Sequence, residues 1–268
     1  MVQAWSRREW LATGAGLAAR AALPAEEPAD KQSKEPFGYC LNTATIMGQK
    51  LPIVQEIEIA AKAGYQGFEP WVSELKKFVE DGGSLKDLGK RLRDGGLSVP
   101  SAIGFAEWIV EDDMRRKKGL EQAKRDMDAV QQIGGTRLAA PPMGATDKGD
   151  LSLLKIADRY RDLLEAGVKI GVIPQVEVWG FSKTLSRLGE AAMVAVESGR
   201  PQACVLADVY HLHKGGSGFQ TLALLGASAM PHLANPRGWL CRATPSTSSI
   251  AERPAFSAST RPVVCRPR

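Results

Sequence analysis

At 268 residues, 44% hydrophobic and 24% charged, the chain is too apolar for a disordered protein and long enough for one sizeable core. Its formal net charge of +5 is concentrated in residues 227–268, where arginines 237, 242, 253, 261, 266 and 268 face one acid, Glu252, so the balanced body carries no footprint for nucleic acid. Cys40, Cys204, Cys241 and Cys265 show no paired spacing and imply neither a zinc site nor a disulfide framework.

In chain order, the first segment is Ser6-Arg7-Arg8-Glu9-Trp10-Leu11, followed by a mildly apolar stretch from Leu11 to Leu23 and by Leu23-Pro24-Ala25. This resembles a twin-arginine export signal over residues 1–25, and predicts a periplasmic or otherwise exported protein. A basic, partly helical extension is the plainer alternative. The apolar stretch is too short to span a bilayer, so no stable membrane insertion is expected. Residues 26–36, rich in Glu, Lys and Pro, read as a linker.

From Phe37 onward, short apolar runs alternate with stretches at helical spacing, the pattern of a parallel α/β fold. Strands are predicted near 37–44, 67–72, 97–104, 136–141, 172–179 and 203–209, with helices near 52–63, 84–95, 113–133, 151–169 and 184–198 and a sixth starting near 218. Ser84 as an N-cap and the glycines at 95, 96, 134, 135 and 199 punctuate the helices. Six units over residues 37–226 fit a (β/α)8 TIM barrel of about 250 residues from which two units are missing. A doubly wound sheet is the second choice, but no GxGxxG follows the first strand.

Past Gly226 the composition changes: residues 227–268 hold no lysine and no aspartate, are rich in Pro, Ser, Thr and Arg, and show no period. They read as a disordered, low-complexity tail. A reading-frame change near 226–232 would account for both the composition and the missing barrel units, and a natural tail for the composition alone.

Two acids stand where barrel strands end. Glu177 closes the run Val172-Ile173-Pro174-Gln175-Val176, and Asp208 follows Leu206-Ala207 with His211 three residues on. The C-terminal ends of barrel strands are where active sites form, and a buried carboxylate needs a cation or donors to stay ionised. A hard divalent metal would supply this, as would a structural Arg or Lys. His211 can orient a substrate oxygen or merely cap a turn.

The stretches Gly64-Tyr65-Gln66-Gly67-Phe68-Glu69-Pro70, Glu177-Val178-Trp179-Gly180 and Asp208-Val209-Tyr210-His211 resemble the strand motifs of the sugar phosphate isomerase/epimerase family, which has the xylose isomerase-like TIM barrel and includes hydroxypyruvate isomerases and ketose 3-epimerases. The resemblance implies a divalent metal, Mn²⁺ or Mg²⁺, with Glu177 as a ligand and catalytic base, Asp208 as a second ligand and His211 as a substrate-binding residue. It also implies two further ligands from strands seven and eight, which have no counterpart; His232 has no strand around it.

Glu69 ends the second strand and can face the same pocket, with Trp71 as a wall for an apolar sugar face; an exposed loop carboxylate is the equal alternative. Glu107 and Trp108, Lys183, Lys214 and the run Gly215-Gly216-Ser217-Gly218 are weaker candidates.

The expected function is thus a metal-dependent isomerase or epimerase of a sugar or hydroxy-keto acid, hydroxypyruvate isomerase-like, acting through an enediolate on a small keto-sugar. The alternative is an inactive, truncated barrel that at most binds a sugar. A multi-zinc DNA-repair endonuclease of related fold is disfavoured by only three histidines. An oligomer remains open.

Overall fold

The computed structural model describes residues 37–225 and 238–242; the expected export signal, the linker, His232 and most of the arginine-rich tail lie outside the described residues. Strands and helices run β1 (Phe37–Asn42), α1 (Ile53–Lys62), β2 (Gly67–Glu69), α2 (Val72–Glu80), α3 (Leu85–Asp94), α4 (Asp113–Gln132), β3 (Arg137–Ala140), α5 (Leu153–Ile170), β4 (Ile173–Glu177), α6 (Leu188–Glu197), β5 (Val205–Leu206), α7 (Val209–Lys214) and β6 (Gly238–Arg242).

All strand pairs are parallel, in two runs ordered β2-β1-β6 and β3-β4-β5. Residues 98–103 join the runs, with bridges Gly67↔Ser98 and Trp71↔Ile103 on one side and Ala102↔Leu138 on the other. The wall is therefore continuous from β6 through β1, β2, 98–103, β3 and β4 to β5. Parallel strands need crossover connections, and the intervening helices supply them. Among the described residues, no helix is long and apolar enough to cross a membrane.

Five local features differ from the sequence reading. The third strand, expected over 97–104, is reduced to isolated bridges, because Pro100 has no N–H to continue a ladder. Helix α2 forms where none was expected, started after Pro70 by the Glu74 carboxylate, which accepts the Trp71 N–H at 2.9 Å. Helix α6 begins at Leu188 and not at 184, after Leu185 takes a left-handed φ of 55°. Helix α7, capped by Asp208, forms where none was expected, and the sixth helix expected from near 218 is a 3-10 helix over Phe219–Leu225. Finally, β6 lies inside the stretch expected to lack periodic structure, and pairs with β1 from Phe37↔Gly238 to Leu41↔Arg242.

The core runs between wall and helices and includes Phe68, Leu75, Leu88, Ile109, Met127, Ile156 and Leu164, each fully buried. Burying each such side chain contributes about 1.5–3 kcal/mol. Tyr160 of α5 is also fully buried, and its hydroxyl donates to the Pro174 carbonyl at 2.8 Å and accepts the Cys204 N–H at 3.2 Å. One side chain thereby pins α5 to β4, which ends in Glu177, and to the residue that leads into β5, which precedes Asp208.

Candidate active site

Glu177 is the last residue of β4 and is 6% exposed. Its Oε2 is buried with no hydrogen-bond partner among the described residues. Burial holds its carboxyl well above the usual carboxylate range, the charges of Asp208 and Glu69 push the same way, and a side-chain hydrogen bond with Trp179 opposes them. A carboxyl so placed requires a proton or a cation.

Asp208 lies two residues beyond β5, at the N-cap of α7, where its Oδ1 accepts the His211 N–H at 2.8 Å. The cap fixes both residues at once: it orients the carboxylate and sets His211 on the first turn of the helix. His211 is partly buried, and its Nδ1 has no hydrogen-bond partner among the described residues. Burial lowers its pKa, with Asp208 opposing and Lys214 reinforcing the shift.

One oxygen of Glu177, one of Asp208 and one imidazole nitrogen of His211 lie within 4.8 Å of one another. Ligands about 2.0–2.4 Å from a common ion are separated by such distances. The geometry therefore gathers His211, expected to hold substrate, into the same donor set as the two acids.

Glu69, the last residue of β2, is buried at 4% exposure, so the exposed-loop alternative does not hold. Its Oε2 accepts from Asn42 Nδ2 at 2.8 Å. Asn42 ends β1 and is the register partner of Glu69. Its other side-chain atom, Oδ1, accepts the Ala44 N–H at 2.9 Å, so the amide can only turn its NH₂ toward Glu69.

Trp71 follows Glu69 and begins a chain of rings: Trp71 to Phe105 at 4.9 Å, Phe105 to Trp179 at 6.2 Å, Trp179 to Phe181 at 5.1 Å and Phe181 to His211 at 5.5 Å between centroids. The expected aromatic wall is thus an arc that ends on the donor set. Asn42, Phe105 and Phe181 were not singled out in the sequence. Their common signal, a position just at or past the C-terminal end of a strand, was available for each.

The weaker candidates go elsewhere. Glu107 pairs with Arg115 Nε at 3.0 Å, and Trp108 is buried with its Nε1 donating to the Pro141 carbonyl at 2.9 Å. Lys183 and Lys214 are exposed. In the glycine run, the Ser217 hydroxyl accepts the Leu188 N–H at 3.0 Å, so this segment closes the start of α6 and does not offer a free phosphate cradle.

Comparison with known proteins shows a match to the family described as xylose isomerase-like TIM barrel over residues 57–236. The chain is similar to 3-dehydro-D-guloside 4-epimerase of Escherichia coli (strain K12), 22% identical over 176 residues, which are 60% of this chain and 65% of that relative. The chain thus spans about two thirds of the length of this relative. Among solved structures, it is similar to the IolI protein with a bound zinc atom, with a TM-score of 0.64, 18% identity and coverage of 72% of this chain and 70% of that one. It is also similar to the apo form of 3-keto-D-glucoside 4-epimerase from E. coli, with a TM-score of 0.57, 20% identity and coverage of 67% and 72%. These likenesses show the TIM-barrel fold.

Proposed function

Because this chain belongs to the xylose isomerase-like TIM barrel family, we propose that it is a divalent-metal-dependent isomerase or epimerase of a small keto-sugar or hydroxy-keto acid. The observation that carries this reading is the convergence of Glu177, Asp208 and His211, two of whose buried polar atoms lack partners among the described residues. The similar epimerase acts on a keto-glycoside by name, and the similar IolI protein holds zinc, which supports both the substrate class and the need for an ion.

Two carboxylates and an imidazole suit a divalent cation such as Mn²⁺ or Mg²⁺. Bound there, such an ion would polarise a carbonyl and its neighbouring hydroxyl and so lower the cost of an enediolate. Glu177 moves the proton at the carbon next to the carbonyl, a general acid–base step worth about 10²–10⁴ in rate. Trp71 and the aromatic arc lie along the apolar face of the sugar and keep water from the reacting carbon. The Arg7-Arg8 leader suggests that the enzyme works after export.

The test is calorimetry with Mn²⁺, Mg²⁺ and Zn²⁺ on the full chain, with Glu177→Gln and Asp208→Asn as controls, followed by turnover of hydroxypyruvate, D-fructose and methyl 3-keto-D-glucoside. Ion binding lost in both variants, together with ion-dependent turnover of one substrate, is expected. A folded protein that binds no ion and turns over none of the three would leave only the inactive-barrel reading.

A further inference from the structure

Epimerisation removes a proton from one face of a carbon and returns one to the other, which takes two groups on opposite sides of the substrate. The donor set supplies one, Glu177. Among the described residues, the structure places one other buried carboxyl at a strand end, Glu69.

Glu69 and Glu177 end β2 and β4, and the wall between them consists of the 98–103 segment and β3. They therefore approach the interior from well-separated parts of the wall and not side by side. Because all strand pairs are parallel, both carboxyls nevertheless stand at the same, C-terminal end of the wall, and the Glu69 charge reaches Glu177. Glu69 is held in one orientation by an amide that is itself fixed: Asn42 Oδ1 is engaged by the Ala44 N–H, and Nδ2 donates to Glu69 Oε2 at 2.8 Å. Trp71, two residues past Glu69, starts the aromatic arc that reaches Trp179, two residues past Glu177, so the segments that follow the two acids are joined by one run of rings.

From this placement we infer that Glu69 is the second catalytic carboxyl, making the chain an epimerase at a carbon next to a ketone, with Asn42 as its positioning residue. The inference rests on the reading of the site as a sugar isomerase or epimerase. Glu177 takes the proton from the starting sugar, the C–H bond breaks and its electron pair moves to the carbonyl oxygen as the enediolate forms. The other, protonated, carboxyl then delivers a proton to the same carbon from the far side, and the carbonyl is restored. The two carboxyls end with their protonation states exchanged, and exchange with water resets them. No oxidant or reductant is consumed.

The experiment follows methyl 3-keto-D-glucoside with the Mn²⁺-loaded full chain in D₂O, reading epimer formation and deuterium incorporation into the starting sugar separately, with calorimetric Mn²⁺ affinity as an independent readout. Glu69→Gln, which keeps shape and the contact to Asn42, should lower epimer formation at least about 100-fold. Deuterium wash-in catalysed by Glu177 and Mn²⁺ affinity should stay within about threefold of the wild type. Asn42→Ala should lower kcat about tenfold with KM unchanged. Glu69→Gln that still epimerises at near the wild-type rate, or that loses wash-in and epimerisation together, overturns the inference. Wild type that turns over hydroxypyruvate or D-fructose but never inverts the keto-glucoside overturns it while the broader reading stands, whereas wild type inactive on all three without ion binding removes both.

Discussion

Gly180 and His211 touch through their backbones: a methyl group at Gly180 would overlap the His211 carbonyl oxygen, and Gly215 makes a similar approach to the Ser186 carbonyl. The loop after β4 and helix α7 are thus packed with no room for side chains between them, and this contact sets how close Glu177 comes to Asp208 and His211.

Gly180→Ala should therefore push α7 away and separate the donor set without touching any donor. Mn²⁺ affinity measured by calorimetry is expected to fall at least about tenfold, the magnitude typical for a disturbed support around ligands. An alanine variant of Gly189, where an added methyl group meets nothing within 4 Å, should leave affinity unchanged.

Tyr160→Phe removes the hydroxyl that joins α5 to Pro174 and Cys204 and leaves a buried carbonyl and a buried N–H each short of a partner. The expected loss is about 1–3 kcal/mol, read as a lower urea midpoint with an unchanged slope.

Glu56, in the first turn of α1, is 2% exposed, and burial, reinforced by the charge of Glu74, raises its pKa from 4.5 to about 7. Between these values the folded chain keeps a proton that the unfolded chain has lost, so stability is highest below about pH 4.5 as far as this group is concerned and is lost as pH rises to about 7. Glu56→Gln should flatten that slope and stabilise the protein at pH 8 by on the order of 2 kcal/mol, measured by urea unfolding at pH 5 and pH 8.

Asp126 of α4 is buried at 1% exposure, and Lys76 of α2 reaches it at 2.8 Å. Lys76→Met leaves the acid without its cation, and a loss of about 2 kcal/mol in thermal or urea unfolding is expected, since Lys76 itself is partly exposed. Lys77→Met, which breaks an exposed pair with Asp81, should cost less than about 0.5 kcal/mol.

The general alternation of strands and helices, and the two acids that end β4 and precede α7, were legible in the amino-acid sequence, because alternation of apolar runs with helical spacing is a local property. So was the turn chemistry of Ser84, which accepts the Asp87 N–H at 3.3 Å. Other features were decided only when distant segments met. Pro100 reads as part of an apolar run until its missing N–H is set against a neighbouring strand. Gly238–Arg242 reads as tail until β1 supplies the ladder that gives it structure. The role of Asn42 depends on Glu69, 27 residues away, and on an amide orientation that Ala44 fixes. His211 joins Glu177 and Asp208 because a helix cap and a glycine contact bring α7 against β4, and no periodicity along the chain encodes a distance between two strands' ends.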